Sequence, residues 1–318
     1  MAAKVRTLST REEYGHALVR LGERSRDVVV LDADLSSSTC TAAFARRFPD
    51  RFFNMGISEQ DMVGTAAGLS LAGKIAFCSS FSIFLTGRCW EQVRQSIALP
   101  GCNVKLVGTH GGITVGKDGA SHQALEDIAV MRAIPAMTVI VPADAVETRK
   151  AVEAAAWYDG PVYIRLTREK LPVIYPDEKQ FRIGIGYEVR PGDDVTLFGI
   201  GLMLHQALAA AELLAAAGAS ARVIDLATVK PLDEDLVTRC ARDTGCAVTA
   251  EEHSVIGGLG GAVAEALTDC HPVPLKRVGL ADRFAETGPY DMVLDHYGMS
   301  VMDIVVAARQ AFGMKQAA

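Results

Sequence analysis

Short runs of apolar, β-branched residues alternate with longer Ala-rich stretches along most of this chain, and that alternation constrains its fold more than any other feature. Val28–Leu31, Ile75–Cys78, Asn103–Gly108, Met137–Val141 and Pro161–Leu166 read as strands. Ser58–Ala72, Phe84–Leu99, Leu125–Ala133 and Ala145–Tyr158 read as the helices between them. Strands that are apolar throughout have both sheet faces covered, so the pattern predicts a parallel sheet clothed by helices. The rhythm lapses over Pro172–Asp194, which is rich in proline, glycine and charge and is predicted to be a linker. It then resumes with strands Val195–Gly199, Ala221–Leu226, Ala247–Glu251 and Leu275–Gly279, separated by helices Leu204–Ala216, Asp233–Arg242 and Leu259–Thr268. The expected fold class is α/β: two doubly wound, mostly parallel-sheet domains, at residues 1–180 and 181–318.

Composition narrows the class. The 318 residues are 49% hydrophobic and 22% charged, with a net charge of −6. Those values argue against disorder and against a basic nucleic-acid or anionic-membrane surface. No apolar stretch approaches the ~20 residues of a membrane span, and Ala207–Ala217 is interrupted by Glu212. The seven cysteines are scattered and free of CxxC spacing, which predicts reduced thiols and a cytoplasmic location.

Chemistry concentrates in three places. Gly108–Gln123, reading GTHGGITVGKDGASHQ, puts His110, Asp118 and His122 in one long polar loop after a strand. In an open α/β sheet such loops line the ligand crevice. A zinc site stays open there, although no third ligand has regular spacing. In Asn54–Met62, reading NMGISEQDM, Ser58 is predicted to cap a helix and Glu59 to sit in its first turn, where the helix dipole favours a carboxylate. Phe81 and Phe84 bracket the end of a strand, which by residue type alone reads as core packing. The glycines at 199–201 and 257–262 lack the context of a dinucleotide fingerprint, and close helix–strand packing accounts for them.

Taken together, these segments resemble the thiamine-diphosphate enzymes of the transketolase family. NMGISEQDM is similar to the motif whose glutamate bonds N1′ of the cofactor's aminopyrimidine, and SSFSIF to the aromatic stretch that stacks on that ring. GTHGGITVGKDGASHQALEDIAVMRAIPAMTVIVPAD is similar to the loop that carries the substrate histidines and aspartate, and RLTRE to the phosphate-site arginine. ADLSSS, IDLATVKPLD and RFAETGPYDMVLDHYG fit as well.

The resemblance implies that Glu59, Phe81, Phe84, Asp34 and Leu35 meet the cofactor. It implies that His110 and His122 bond the substrate's C1 hydroxyl and carbonyl oxygens, that Asp118 reads the acceptor's C2 hydroxyl, and that Arg11, Ser38 and Arg168 contact phosphate. Arg11 also fits an ordinary helix start, with Thr10 as cap. Lys117 stands where many relatives carry an acidic residue, which leaves acceptor preference open.

No GDG…N magnesium motif is present. The resemblance therefore implies the second half of a split transketolase, whose partner subunit holds Mg2+ and the diphosphate, in an α2β2 heterotetramer acting on sugar phosphates. The alternatives are the β subunit of a 2-oxo acid dehydrogenase, which needs no sugar-reading loop, and a non-catalytic scaffold. The joint presence of Glu59, His110, Asp118 and His122 disfavours the scaffold.

Overall fold

The computed structural model describes residues 6–317. Met1–Val5 and Ala318, the outer ends of the two predicted domains, lie outside the described residues. Two sheets dominate. The larger has seven strands, in the spatial order Thr228–Lys230, Thr138–Ile140, Val162–Arg165, Val104–Thr109, Ile75–Phe81, Val28–Asp32, Phe52–Asn54. Six are parallel and Thr228–Lys230 pairs antiparallel at one edge. The smaller sheet runs Leu275–Leu280, Ala247–Ser254, Val195–Gly199, Ala221–Asp225, Tyr187–Arg190, the last antiparallel to its neighbour. Helices cover both sheets, as the alternation predicts, and the strand cores Val28–Asp32, Val104–Thr109 and Val195–Gly199 are buried at every position.

The differences from the sequence reading are short elements, caps, one broken helix and the two C-terminal helices. Helix Thr10–Arg24 begins on Ser9, whose hydroxyl accepts from the Glu12 amide; Thr10 is not the cap. The predicted linker contains strand Tyr187–Arg190, and Thr228–Lys230 inserts into the first sheet from beyond residue 181. Helices Tyr290–His296 and Val301–Ala317 close the chain. The predicted helix Phe84–Leu99 is broken: π-turns Phe84–Arg88 and Val93–Ala98 flank a short α-turn Trp90–Gln92. Such π-turns re-aim side chains and are frequent at functional sites.

Buried ion pairs tie the layers together. Arg165 Nε meets Asp127 Oδ2 at 2.8 Å, and Lys179 Nζ lies 2.7 Å from Glu147 and 3.7 Å from Asp225. At the glycine-rich segment 257–262, the amides of Leu259 and Gly260 donate to Glu251 at 2.7 and 2.8 Å. A Cβ on Gly258 would meet Glu251 Oε2 at 2.0 Å, so an internal carboxylate takes the helix N-terminus and the glycine makes room for it.

Candidate active site

The candidate residues gather at the carboxyl ends of contiguous parallel strands, where open α/β sheets place ligands. Asp34, Leu35 and Ser38 follow strand Val28–Asp32. Phe81 ends strand Ile75–Phe81, and Phe84 begins the π-turn after it. His110, Asp118 and His122 follow Val104–Thr109, and Arg168 follows Val162–Arg165. Glu59 arrives from the edge strand Phe52–Asn54, as the first residue of helix Glu59–Leu71. Arg11 enters from helix Thr10–Arg24.

Ser58 stands at the N-cap, but its hydroxyl donates backward to the Met55 carbonyl at 2.6 Å and caps nothing. Glu59 is buried. Its carboxylate accepts both from Ser80 Oγ at 3.5 Å and, through two short contacts of 3.0 and 3.1 Å, from one nitrogen of Arg88. Glu59 does open the helix, as the sequence reading expects, and it is held there by an ion pair with Arg88. Arg88 itself is half-exposed, and its guanidinium carbon sits 4.1 Å from the centre of the Phe84 ring. A cleft of about 660 Å³ opens here, lined by Ile57, Ser58, Glu59, Gln60, Asp61 and Arg88.

Phe84 and Phe81 stack with centroids 5.8 Å apart and 17° between planes. Phe81 in turn lies 3.9 Å from the His110 ring, and His122 meets Phe84 edge-on at 5.2 Å. The two phenylalanines are therefore in ring contact with both histidines, and Phe81 is at the same time buried. His110 adopts φ +58, and its Nδ1 bonds Thr109 Oγ1 at 2.9 Å. Burial, and then the charges of Arg11, Arg168 and His122, push its pKa down to about 3, so the imidazole is neutral at physiological pH. His122 Nδ1 bonds Ser121 Oγ.

Arg11 donates to the Ser38 carbonyl at 2.6 Å and the Arg168 carbonyl at 3.0 Å, and its Nε is buried with no partner. Arg168 donates to the Val115 carbonyl and reaches Asp118 Oδ2 at 3.4 Å. Two guanidiniums thus converge beside His110 with one carboxylate between the loop and Arg168, an arrangement suited to a bidentate anion. Asp34, at φ +63, accepts from Asn54 Nδ2 at 2.9 Å, and the Leu35 amide donates to Asp32. Among the described residues, no group of three or more His, Cys, Asp or Glu is arranged to hold a metal, and no helix is long and apolar enough to cross a membrane. All seven cysteines are free thiols.

Three positioning residues escaped the sequence reading. Arg88 follows Phe84 by four positions, a helical spacing that would have suggested the contact. Asp32 holds the segment just after Ser38 by accepting from Thr39 and Thr41 hydroxyls at 2.7 and 2.9 Å. Glu252 reaches across from the second sheet to take the Thr114 amide at 2.7 Å. Nothing local in the sequence signals that last contact.

Likeness to known proteins decides the family. Residues 6–173 match the family description "Transketolase, pyrimidine binding domain", and residues 184–304 match "Transketolase, C-terminal domain". The chain belongs to the transketolase family. Among solved transketolases, it superposes on a split-gene transketolase captured as an inactive β4 tetramer. That match has TM-score 0.91 and 51% identity, covering 97% of this chain and 99% of that one. It is 43% identical to the 6-deoxy-6-sulfo-D-fructose transketolase subunit SqwH of a Clostridium species, over 94% of this chain and 93% of that protein. It is 36% identical to an apulose-4-phosphate transketolase subunit from Phocaeicola vulgatus, over 92% and 94%.

Proposed function

We propose that this chain is the pyrimidine-binding and C-terminal subunit of a split transketolase, its own two domains meeting near residue 180. In this reading it moves a two-carbon glycolaldehyde unit from a ketose donor to an aldose acceptor, in the cytoplasm. The active site is completed by a partner subunit that carries a GDG…N motif and holds Mg2+ and the diphosphate. The carrying observation is convergence: Glu59, the Phe81–Phe84 pair, the His110–His122 pair and the Arg11–Arg168 pair meet at the carboxyl ends of the first sheet's strands.

The residues present suit thiamine diphosphate. Beside Glu59 and over Phe84 there is already room for one flat group, the Arg88 guanidinium, and with an aminopyrimidine in that place a protonated Glu59 would donate to N1′. When bound, that cofactor supplies the electron sink for breaking the donor's C2–C3 bond. Glu59 would hold and exchange a proton with N1′, and Phe81 and Phe84 would carry the ring, with Asp34 and Leu35 at its margin. His110, neutral and tethered through Nδ1, would keep Nε2 for a donor oxygen, and His122 would bond the neighbouring one. Asp118 would read the acceptor's C2 hydroxyl. Arg11, Arg168 and Ser38 would grip the sugar's anionic end. A sulfo-sugar and a sugar phosphate, named for the two subunit relatives, both end in an anion of that kind.

The test is reconstitution. Purified chain, partner, Mg2+, thiamine diphosphate and sugar phosphates together should transfer glycolaldehyde and form an α2β2 assembly. Either chain alone should be inactive. Robust turnover by this chain alone would sink the split-subunit reading. Decarboxylation of 2-oxo acids with no sugar transfer would favour the dehydrogenase alternative.

A further inference from the structure

Arg88 is bound to both surfaces that the proposed function assigns to the aminopyrimidine. It gives Glu59 two contacts of 3.0 and 3.1 Å, and its guanidinium carbon sits over the Phe84 ring, 4.1 Å from the centroid. A guanidinium is planar and delocalised, so it takes the place of an aminopyrimidine over an aromatic ring. It donates to Glu59 where N1′ would accept from it, so Arg88 matches the pyrimidine in position and shape and not in polarity. We infer that Arg88 is a displaceable stand-in, which fills the pyrimidine half-site of the isolated chain and leaves when cofactor arrives. The inference rests on the thiamine reading above.

Three observations support displacement over a fixed pair. The Arg88 side chain is half-exposed while that of Glu59 is buried, so the arginine can leave without uncovering the core. It sits at the end of the π-turn Phe84–Arg88, where the backbone departs from regular helical bonding. An alternative carboxylate, Asp61, lines the same cleft, so an outward swing need not leave the guanidinium without a counter-charge. Keeping Glu59 paired also spares the lone subunit an uncompensated buried carboxylate. The consequence is that pyrimidine contacts alone capture cofactor weakly. Tight capture needs the diphosphate contacts that a partner adds.

Calorimetry of the purified chain with thiamine, which carries the pyrimidine without the diphosphate, tests this directly. Loss of the competing charge-assisted contacts in Arg88→Ala should tighten thiamine binding about 10-fold, with Arg88→Lys in between. Phe84→Ala should weaken it, because ring and guanidinium share that face. Equal or weaker binding by Arg88→Ala overturns the inference and makes Arg88 a fixed support for Glu59. Thiamine diphosphate binding by this chain together with its partner and Mg2+ is measured in parallel. Absence of binding there removes the thiamine reading and the inference together. Binding there without a gain in Arg88→Ala removes the inference alone.

Discussion

Arg168 reaches the carboxylate of Asp118 at 3.4 Å while donating to the Val115 carbonyl, so one guanidinium both pins the histidine loop and faces the loop's acid. If that group grips the sugar's anionic end, Arg168→Ala should lower kcat/KM for sugar phosphates at least ~10-fold, the worth of one charge-assisted bond. Hydroxypyruvate, which has no distal phosphate, should lose much less. Parallel losses for the two donors would remove the anion assignment and leave Arg168 as a loop anchor.

Glu59→Gln keeps the shape of the side chain and removes its ability to exchange a proton. Turnover of the reconstituted enzyme should fall more than ~100-fold, the lower range for a positioned proton-transfer group. Hydrogen–deuterium exchange at the cofactor's reactive carbon should fall with it. Exchange at the unaltered rate would reduce Glu59 to a helix-terminus carboxylate.

His110 gives the acid limb of stability a definite sign. Its folded pKa of about 3 lies below the ordinary 6.5, so between those values the unfolded chain binds more protons than the folded one. Its contribution is fully present above pH 6.5 and is lost as the pH falls toward 3, by up to about 1.4 kcal/mol per unit. His110→Asn, chosen because asparagine tolerates positive φ, should flatten that limb in denaturant titrations between pH 6.5 and 4. An unchanged slope would mean that the imidazole is not held neutral.

Lys179 is buried against Glu147 and Asp225, with Tyr175 and Tyr187 rings 3.0 and 4.0 Å from its nitrogen. Burial and the charge of Asp225 already hold the Glu147 carboxyl well above the usual range. Lys179→Met leaves two interior carboxyl groups without their cation, and should cost about 3–5 kcal/mol by urea unfolding. A loss below about 1 kcal/mol, as for a solvated surface pair, would contradict the burial.

The parallel strands were legible because their two covered faces demand unbroken apolar runs such as Val28–Leu31, and the histidine loop because five glycines surround two histidines and an acid. A strand of three or four residues declares itself only inside a longer run of β-branched and apolar residues, as Thr138–Ile140 does within Met137–Val141. Phe52–Asn54, Tyr187–Arg190 and Thr228–Lys230 therefore escaped, being specified by the neighbours they pair with. Ser58 misled because its residue type suits a cap while the Met55 carbonyl competes for its proton. The Arg88–Glu59 contact depends on a π-turn in a stretch whose composition reads as plain helix, and Glu252 meets Thr114 through tertiary packing alone.

Thr228–Lys230 belongs by sequence to the second half of the chain and by pairing to the first sheet, where it covers the Thr138–Ile140 edge. Lys230 fastens it further, donating to the Arg132 and Ile134 carbonyls at 2.7 and 2.6 Å. A fragment ending near residue 180 would bare a parallel edge ready to pair with any passing strand. Exchanging halves between relatives is thus a matter of fit as well as of splicing: a chimera joined there takes its rim from one parent and the closure of that rim from the other.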